Sequence, residues 1–138
     1  MGEVKVKVKI INFGDIIKAS DGIISDKDIR EVEVDAVIDT GATYMCLPPG
    51  VIEELGLYYS HSVPVFTANG EVMRRIFLGA HITIMERSVE MEVLESDRTT
   101  PPLVGFLILE ALDFVVDTVG QKLIPNPEHG GRRVANLY

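Results

Sequence analysis

A chain of 138 residues that is 46% hydrophobic can bury one substantial core but not two comfortable ones, so a single domain is expected. Its formal net charge of −8 excludes sequence-independent nucleic-acid binding, which needs a basic face, and leaves Arg74-Arg75 and Arg132-Arg133 as isolated surface pairs. No apolar run reaches the length of a membrane span, and the N-terminal residues alternate where a leader would be continuously apolar, so neither membrane nor export is expected.

Val4, Val6 and Val8 alternate with Lys5, Lys7 and Lys9, the two-residue period of a strand with one buried face. The lysines suit an edge strand guarded against stray pairing. A polar loop is expected over Asp15 to Lys27; its acidic part, Asp21 to Asp28, lacks the ligand alternation of a calcium loop and reads as a turn. Arg30 to Ile38 alternates and then becomes continuously apolar, as a strand does on passing from surface to core. Pro48-Pro49 opens a short helix that turns Ile52, Leu55 and Val51 inward and ends at Gly56.

Val63 to Thr67 and Val72 to Leu78 form a hairpin joined through Asn69-Gly70, a strong turn signal. His81 to Met85 and Val89 to Leu94 make a second hairpin across Glu86-Arg87-Ser88, followed by a loop, Glu95 to Pro102. Leu103-Val104-Gly105 ends an apolar strand, and Phe106 to Leu112 has the length and residue types of a short buried helix. Phe114 to Asp117 and Lys122 to Ile124 form a last hairpin around Thr118 to Gln121. Residues 1–125 are taken as the domain and 126–138 as a C-terminal tail, loose in a monomer or ordered against a partner.

Chemistry concentrates at Asp39-Thr40-Gly41-Ala42. A carboxylate at the inner end of an apolar strand carries a heavy desolvation cost unless something shares its charge or its proton. Thr40 offers a hydroxyl, Gly41 allows close backbone approach, and Ala42 adds no bulk. Cys46 lies between Met45 and Leu47 and reads as a small buried thiol in preference to a nucleophile. A single cysteine forms no intrachain disulfide, which fits a reducing, cytoplasmic compartment. His61, His81 and His129 share no ligand spacing with Cys46, so no metal and no cofactor is expected.

The Asp-Thr-Gly-Ala turn, the glycine-tipped hairpin and the later apolar-apolar-Gly-helix segment, in that order, resemble the retropepsin-like aspartic proteases over Val4 to Pro125. The resemblance implies an all-β, single-domain retropepsin-like acid protease β-barrel with one or two short helices. It makes Asp39 the catalytic residue, places Ala68, Asn69 and Gly70 at the tip of a flap, and makes Leu103, Val104 and Gly105 the second signature, where a strand crosses behind the catalytic loop. It also implies an extended peptide or protein substrate under the flap, and apolar candidates for lining its pockets are Met73, Ile76, Val104 and Leu107.

Aspartic protease chemistry uses two carboxyls sharing a proton, so a second Asp is required. Phe114-Val115-Val116-Asp117-Thr118-Val119-Gly120 imitates the first motif, but Val119 intrudes between Thr and Gly, and Asp117 reads as a turn residue. The expected partner is Asp39 of a second copy in a twofold homodimer. By the resemblance, Thr40 bonds across the axis and Gly41 positions substrate backbone. Ala42 replaces a hydroxyl residue common in acid-active relatives, which moves the expected activity toward neutral pH. Thr43-Tyr44 stands where viral members often carry acidic residues, a departure that bears on substrate preference. The alternative is a non-catalytic dimerisation or peptide-binding module on the same fold.

Overall fold

The structure, a computed structural model, describes residues 3–137. Alternation sets the first strand, β1 (Lys5–Asn12): Val8, Ile10 and Asn12 are buried while Lys5, Lys7 and Lys9 face solvent. It is not the edge strand that its lysines suggested. Lys5 to Ile11 pair antiparallel with β2 (Glu31–Ile38), and Lys9 to Asn12 pair on the other side with β6 (Ala80–Ile84). The lysines instead meet acidic residues across the exposed face, Lys7 to Asp35 at 2.9 Å and Lys9 to Glu31 at 3.3 Å.

The expected polar loop after β1 contains a helix, α1 (Phe13–Ser20), which raises the short α-helices among the described residues to three. Asn12 caps it by accepting a hydrogen bond from Asp15 N–H at 3.0 Å. Asp15 is itself buried and holds the Arg30 guanidinium in a two-pronged pair, Nε at 2.8 Å and Nη2 at 3.0 Å. That pair holds the Asp15 carboxyl below the usual carboxylate range, chiefly through the Arg30 side-chain hydrogen bond. The helix was concealed because Gly14 and a two-turn length give weak periodicity; the cap at Asn12, three residues before Asp15, was its available signal.

The remaining elements are β3 (Met45–Leu47), α2 (Pro49–Leu55), β4 (Tyr58–Thr67), β5 (Gly70–Leu78), β7 (Arg87–Glu90), β8 (Val93–Glu95), β9 (Leu103–Val104), α3 (Phe106–Leu112), β10 (Phe114–Asp117) and β11 (Lys122–Pro125). Nine strands make one sheet in the order β4-β5-β8-β3-β9-β2-β1-β6-β7, curled into a half-barrel, and β10 and β11 form a separate pair. The architecture is the all-β, single-domain, retropepsin-like one. The proline start and the Gly56 end of α2 fall where expected, Gly56 in the left-handed region at φ 64°.

The second hairpin differs from expectation. Its turn is Met85-Glu86, both at positive φ, and the run Val89 to Leu94 breaks at Met91-Glu92. The break lets two short strands serve different neighbours. β7 pairs with β6, whereas β8 pairs parallel with β3 and antiparallel with β5. Burial of Ile10, Met45, Leu47, Leu55, Ile82 and Ile108 places the main core between the sheet and its helices. Full burial of a side chain of this size contributes about 2 kcal/mol.

The segment after Pro125 is fastened to its own chain. Asp113 accepts from Val134 N–H at 3.0 Å and from the His129 ring, Arg87 donates to Gly131 O at 2.8 Å, and Arg133 donates to Ser88 O at 2.8 Å. Tyr138, the last residue of the 126–138 tail, lies outside the described residues.

Candidate active site

β2 delivers Asp39 to the end of the sheet's parallel seam, where Val37 and Ile38 register with Leu103 and Val104 of β9. Asp39 N–H donates to Val104 O at 3.0 Å, so the residue begins as a continuation of the sheet. The chain then reverses: Ala42 N–H returns to Asp39 O at 3.1 Å, and Gly41 N–H donates to the carboxyl Oδ1 at 2.9 Å. Asp39 is half-buried, and Thr40 and Gly41 are exposed. The Gly41 N–H is the one donor to that carboxyl among the described residues. In a single chain, then, the desolvation expected of Asp39 is only partial.

The second signature locks the turn from behind. Phe106 N–H donates to Ala42 O at 2.8 Å and Leu107 N–H to Thr43 O at 3.1 Å, so the start of α3 is stitched to the turn. Between them Gly105 passes so close that an added Cβ would lie 2.2 Å from Tyr44 O and 2.7 Å from Ala42 O. Only glycine fits. Asp39 to Ala42 and Leu103 to Gly105 thus meet as one unit, although they are more than sixty positions apart.

The turn opens on a cleft of about 580 Å³ whose walls come from Ala42 to Tyr44, from Val63 to Thr67 and Arg74 of the β4–β5 hairpin, and from the Ser96 to Thr100 loop. A small apolar cluster of Cys46, Ile76 and Leu94 lies beneath, with Tyr44, Val65 and Leu103 packed against it. None of Met73, Ile76, Val104 and Leu107 lines the cleft. Met73 is out of phase with Arg74 and stands 60% exposed, whereas Ile76 shares the phase of Arg74 but is wholly buried beneath Val63 and Val65, and Val104 is wholly buried in the main core. Val63 and Val65, which do line the cleft, are marked in the sequence by their alternation along the strand.

At the hairpin's tip, the two turn residues are Ala68 and Asn69, while Gly70 takes φ 111° and pairs with Thr67. The turn thus lies one residue earlier than an Asn-Gly pair alone implies. Thr67 Oγ1 braces it, donating to Gly70 O at 2.7 Å and accepting from Asn69 N–H at 3.2 Å. In the opposite wall, Asp97 Oδ1 accepts from the hydroxyls and N–H groups of Thr99 and Thr100. These hydrogen bonds, the Thr100 hydroxyl first, hold its carboxyl down to about 2.

Cys46 is no nucleophile in this setting. Burial, and then the charge of Asp39, push its thiol up to about 11, leaving negligible thiolate at neutral pH. Asp117 is the expected turn residue: its Oδ1 accepts from Val119 and Gly120 N–H, both at 3.1 Å. Among the described residues, no group of three or more His, Cys, Asp or Glu side chains is arranged to hold a metal ion, and no helix is long and apolar enough to cross a membrane.

Comparison with known families matches the gag-polyprotein putative aspartyl protease family over residues 25–111. The match includes the Asp39 turn, the β4–β5 hairpin and Gly105, and it stops short of Asp117. No curated protein matches the chain. With more than half of its length matched and a retropepsin-like fold around the Asp39 turn, the chain belongs to the retroviral gag-type aspartyl protease family.

Proposed function

We propose that the chain is an aspartic endopeptidase whose dyad is Asp39 together with Asp39 of a second copy. The observation that carries this reading is the half-buried Asp39 on a turn locked by Val104, Gly105 and Phe106, whose Gly41 and Ala42 line a cleft of about 580 Å³. Two such carboxyls side by side share one proton and titrate as a unit. The ionised one takes a proton from a water molecule as its oxygen adds to the scissile carbonyl carbon. The protonated one donates to the carbonyl oxygen. Collapse of the resulting diol breaks the C–N bond, with a proton passing to the departing nitrogen.

In this reading Thr40 holds the two turns together across the axis, and Gly41 supports the substrate backbone. The substrate is an extended peptide or protein segment, paired as an added strand beneath the β4–β5 hairpin, which acts as a flap with Ala68, Asn69 and Gly70 at its tip. Ala42 contributes no hydroxyl to the dyad, so activity extends toward neutral pH. A reducing, cytoplasmic setting fits a chain whose single cysteine, Cys46, is buried.

The test is cleavage of an unfolded protein or an extended peptide library by the purified chain and by Asp39→Asn. The wild type is expected to cleave and the variant to be inactive while keeping its fold. Cleavage by Asp39→Asn removes the mechanism. Peptide binding without turnover across a wide pH range favours the non-catalytic module instead.

A further inference from the structure

We propose that Arg74 makes the cleft select peptides that carry an acidic side chain; this rests on the reading of the cleft as the substrate site. The two arginines that stand together in the sequence part company on β5. Arg75 is spent: its Nε and Nη2 donate to the Glu95 carboxylate at 2.9 and 2.8 Å, and its guanidinium lies 5.2 Å from the centre of the Phe77 ring. Arg74 stands opposite Val63 in the hairpin register and so shares its face, and both line the cleft. It is half-buried there, and among the described residues no carboxylate pairs with it. The hydrogen bond its side chain makes is a 3.4 Å contact from Nη1 to Met73 O.

A guanidinium presents five N–H donors in a planar fork that matches a carboxylate, and Arg74 keeps most of that capacity for a ligand. The cleft's own carboxylate is engaged. Asp97 has its Oδ1 held by the hydroxyls and N–H groups of Thr99 and Thr100, and it forms no ion pair with Arg74. Arg74 is the one cation among the described residues that line the cleft. An extended peptide alternates its side chains, so an acid meets Arg74 at one register only. With two copies contributing to the cleft, each brings its own Arg74, and one acidic position is selected on either side of the scissile bond. The net charge of −8 opposes acidic peptides in general, so selection for them has to come from a local contact and not from the overall field.

The experiment uses peptides that carry Glu, Gln or Lys at each position of one extended sequence. Cleavage is measured for the wild type, Arg74→Gln, Arg74→Lys, Arg74→Glu and Arg132→Glu, the last an exposed site outside the cleft. Binding of the same peptides is measured by fluorescence anisotropy with Asp39→Asn, alone and combined with Arg74→Gln. The wild type is expected to favour Glu over Gln by about tenfold or more in kcat/KM at the selected positions. The gain should fall on KM, because the pair forms before the chemical step and persists through it. Arg74→Gln should lose the preference, Arg74→Lys should keep part of it, and Arg74→Glu should favour Lys. Arg132→Glu, the same change in net charge, should match the wild type. The proposal is overturned if the wild type cleaves without an acid preference, or if folded Arg74→Gln retains one; the protease reading then stands. Acid-selective binding that Arg74→Gln abolishes, with no cleavage by the wild type, retires the protease reading and leaves the selectivity of the cleft. Absence of both cleavage and binding retires both.

Discussion

Asp39-Thr40-Gly41 and Asp117-Thr118-Val119-Gly120 begin alike and end differently. Each follows an apolar strand, and in each the carboxyl Oδ1 accepts from the backbone N–H two residues on, at 2.9 Å in the first and 3.1 Å in the second. Local chemistry is nearly shared. The surroundings are not. The Asp39 turn is backed by Val104, Gly105 and Phe106 from a distant segment and faces the cleft. The Asp117 turn caps a two-stranded pair, and its Val119 stands 94% exposed. An Asp-Thr turn becomes a candidate active site when a second segment passes behind it and fixes where the carboxyl points.

The largest contrast is in turnover. Asp39→Asn should lower kcat/KM on a peptide substrate by about a thousandfold or more, since it removes an acid–base group, and Asp117→Asn should leave it within about twofold. Comparable losses from the two variants would erase the distinction between the turns. Next comes the backing itself. Gly105→Ala should cost about 3 kcal/mol in denaturant unfolding, because its Cβ meets backbone oxygens that cannot move aside. Gly120→Ala should cost under about 1 kcal/mol. Its closest obstacle, at 2.6 Å, is the Asp117 Oδ2, a side-chain atom where Gly105 meets backbone.

The smallest effect concerns Asp113, which lies between α3 and β10 and so joins the two regions. Val134 N–H first, and then the His129 ring, hold its carboxyl below the usual range. A carboxylate depressed in the folded state contributes stability that is present above its unfolded value near pH 4 and is lost as pH falls through the folded one. Urea midpoints between pH 6 and pH 3 should therefore fall less steeply for Asp113→Asn than for the wild type. Parallel slopes would show that this clasp carries no acid sensitivity.

Much of the architecture was legible because it rests on patterns a few residues long. Lysine–valine alternation marks β1, paired prolines and Gly56 bound α2, and Asn69-Gly70 marks the hairpin to within one residue. α1 was not legible as a loop-embedded helix, because the burial of Asp15 against Arg30, and not an apolar stripe, secures it. The second hairpin was not legible because Val89 to Leu94 is continuously compatible with a strand. Only pairing to two different neighbours divides it.

By itself the sequence determined the unit of the site: one Asp39 turn, one Gly105, and their order along the chain. Their chemistry lies in residue identity, a carboxyl on one side and the absence of a side chain on the other. Tertiary structure decided what those residues face. Strand phase turned Met73 away from the face of Val63 and Arg74, depth put Ile76 beneath that face, and the fold left Phe106 exposed beside the turn while enclosing Val104 completely. Neighbouring positions on one strand or at a strand–helix junction carry similar hydrophobicity, so only the packing of distant segments assigns each to the core, the cleft or the surface.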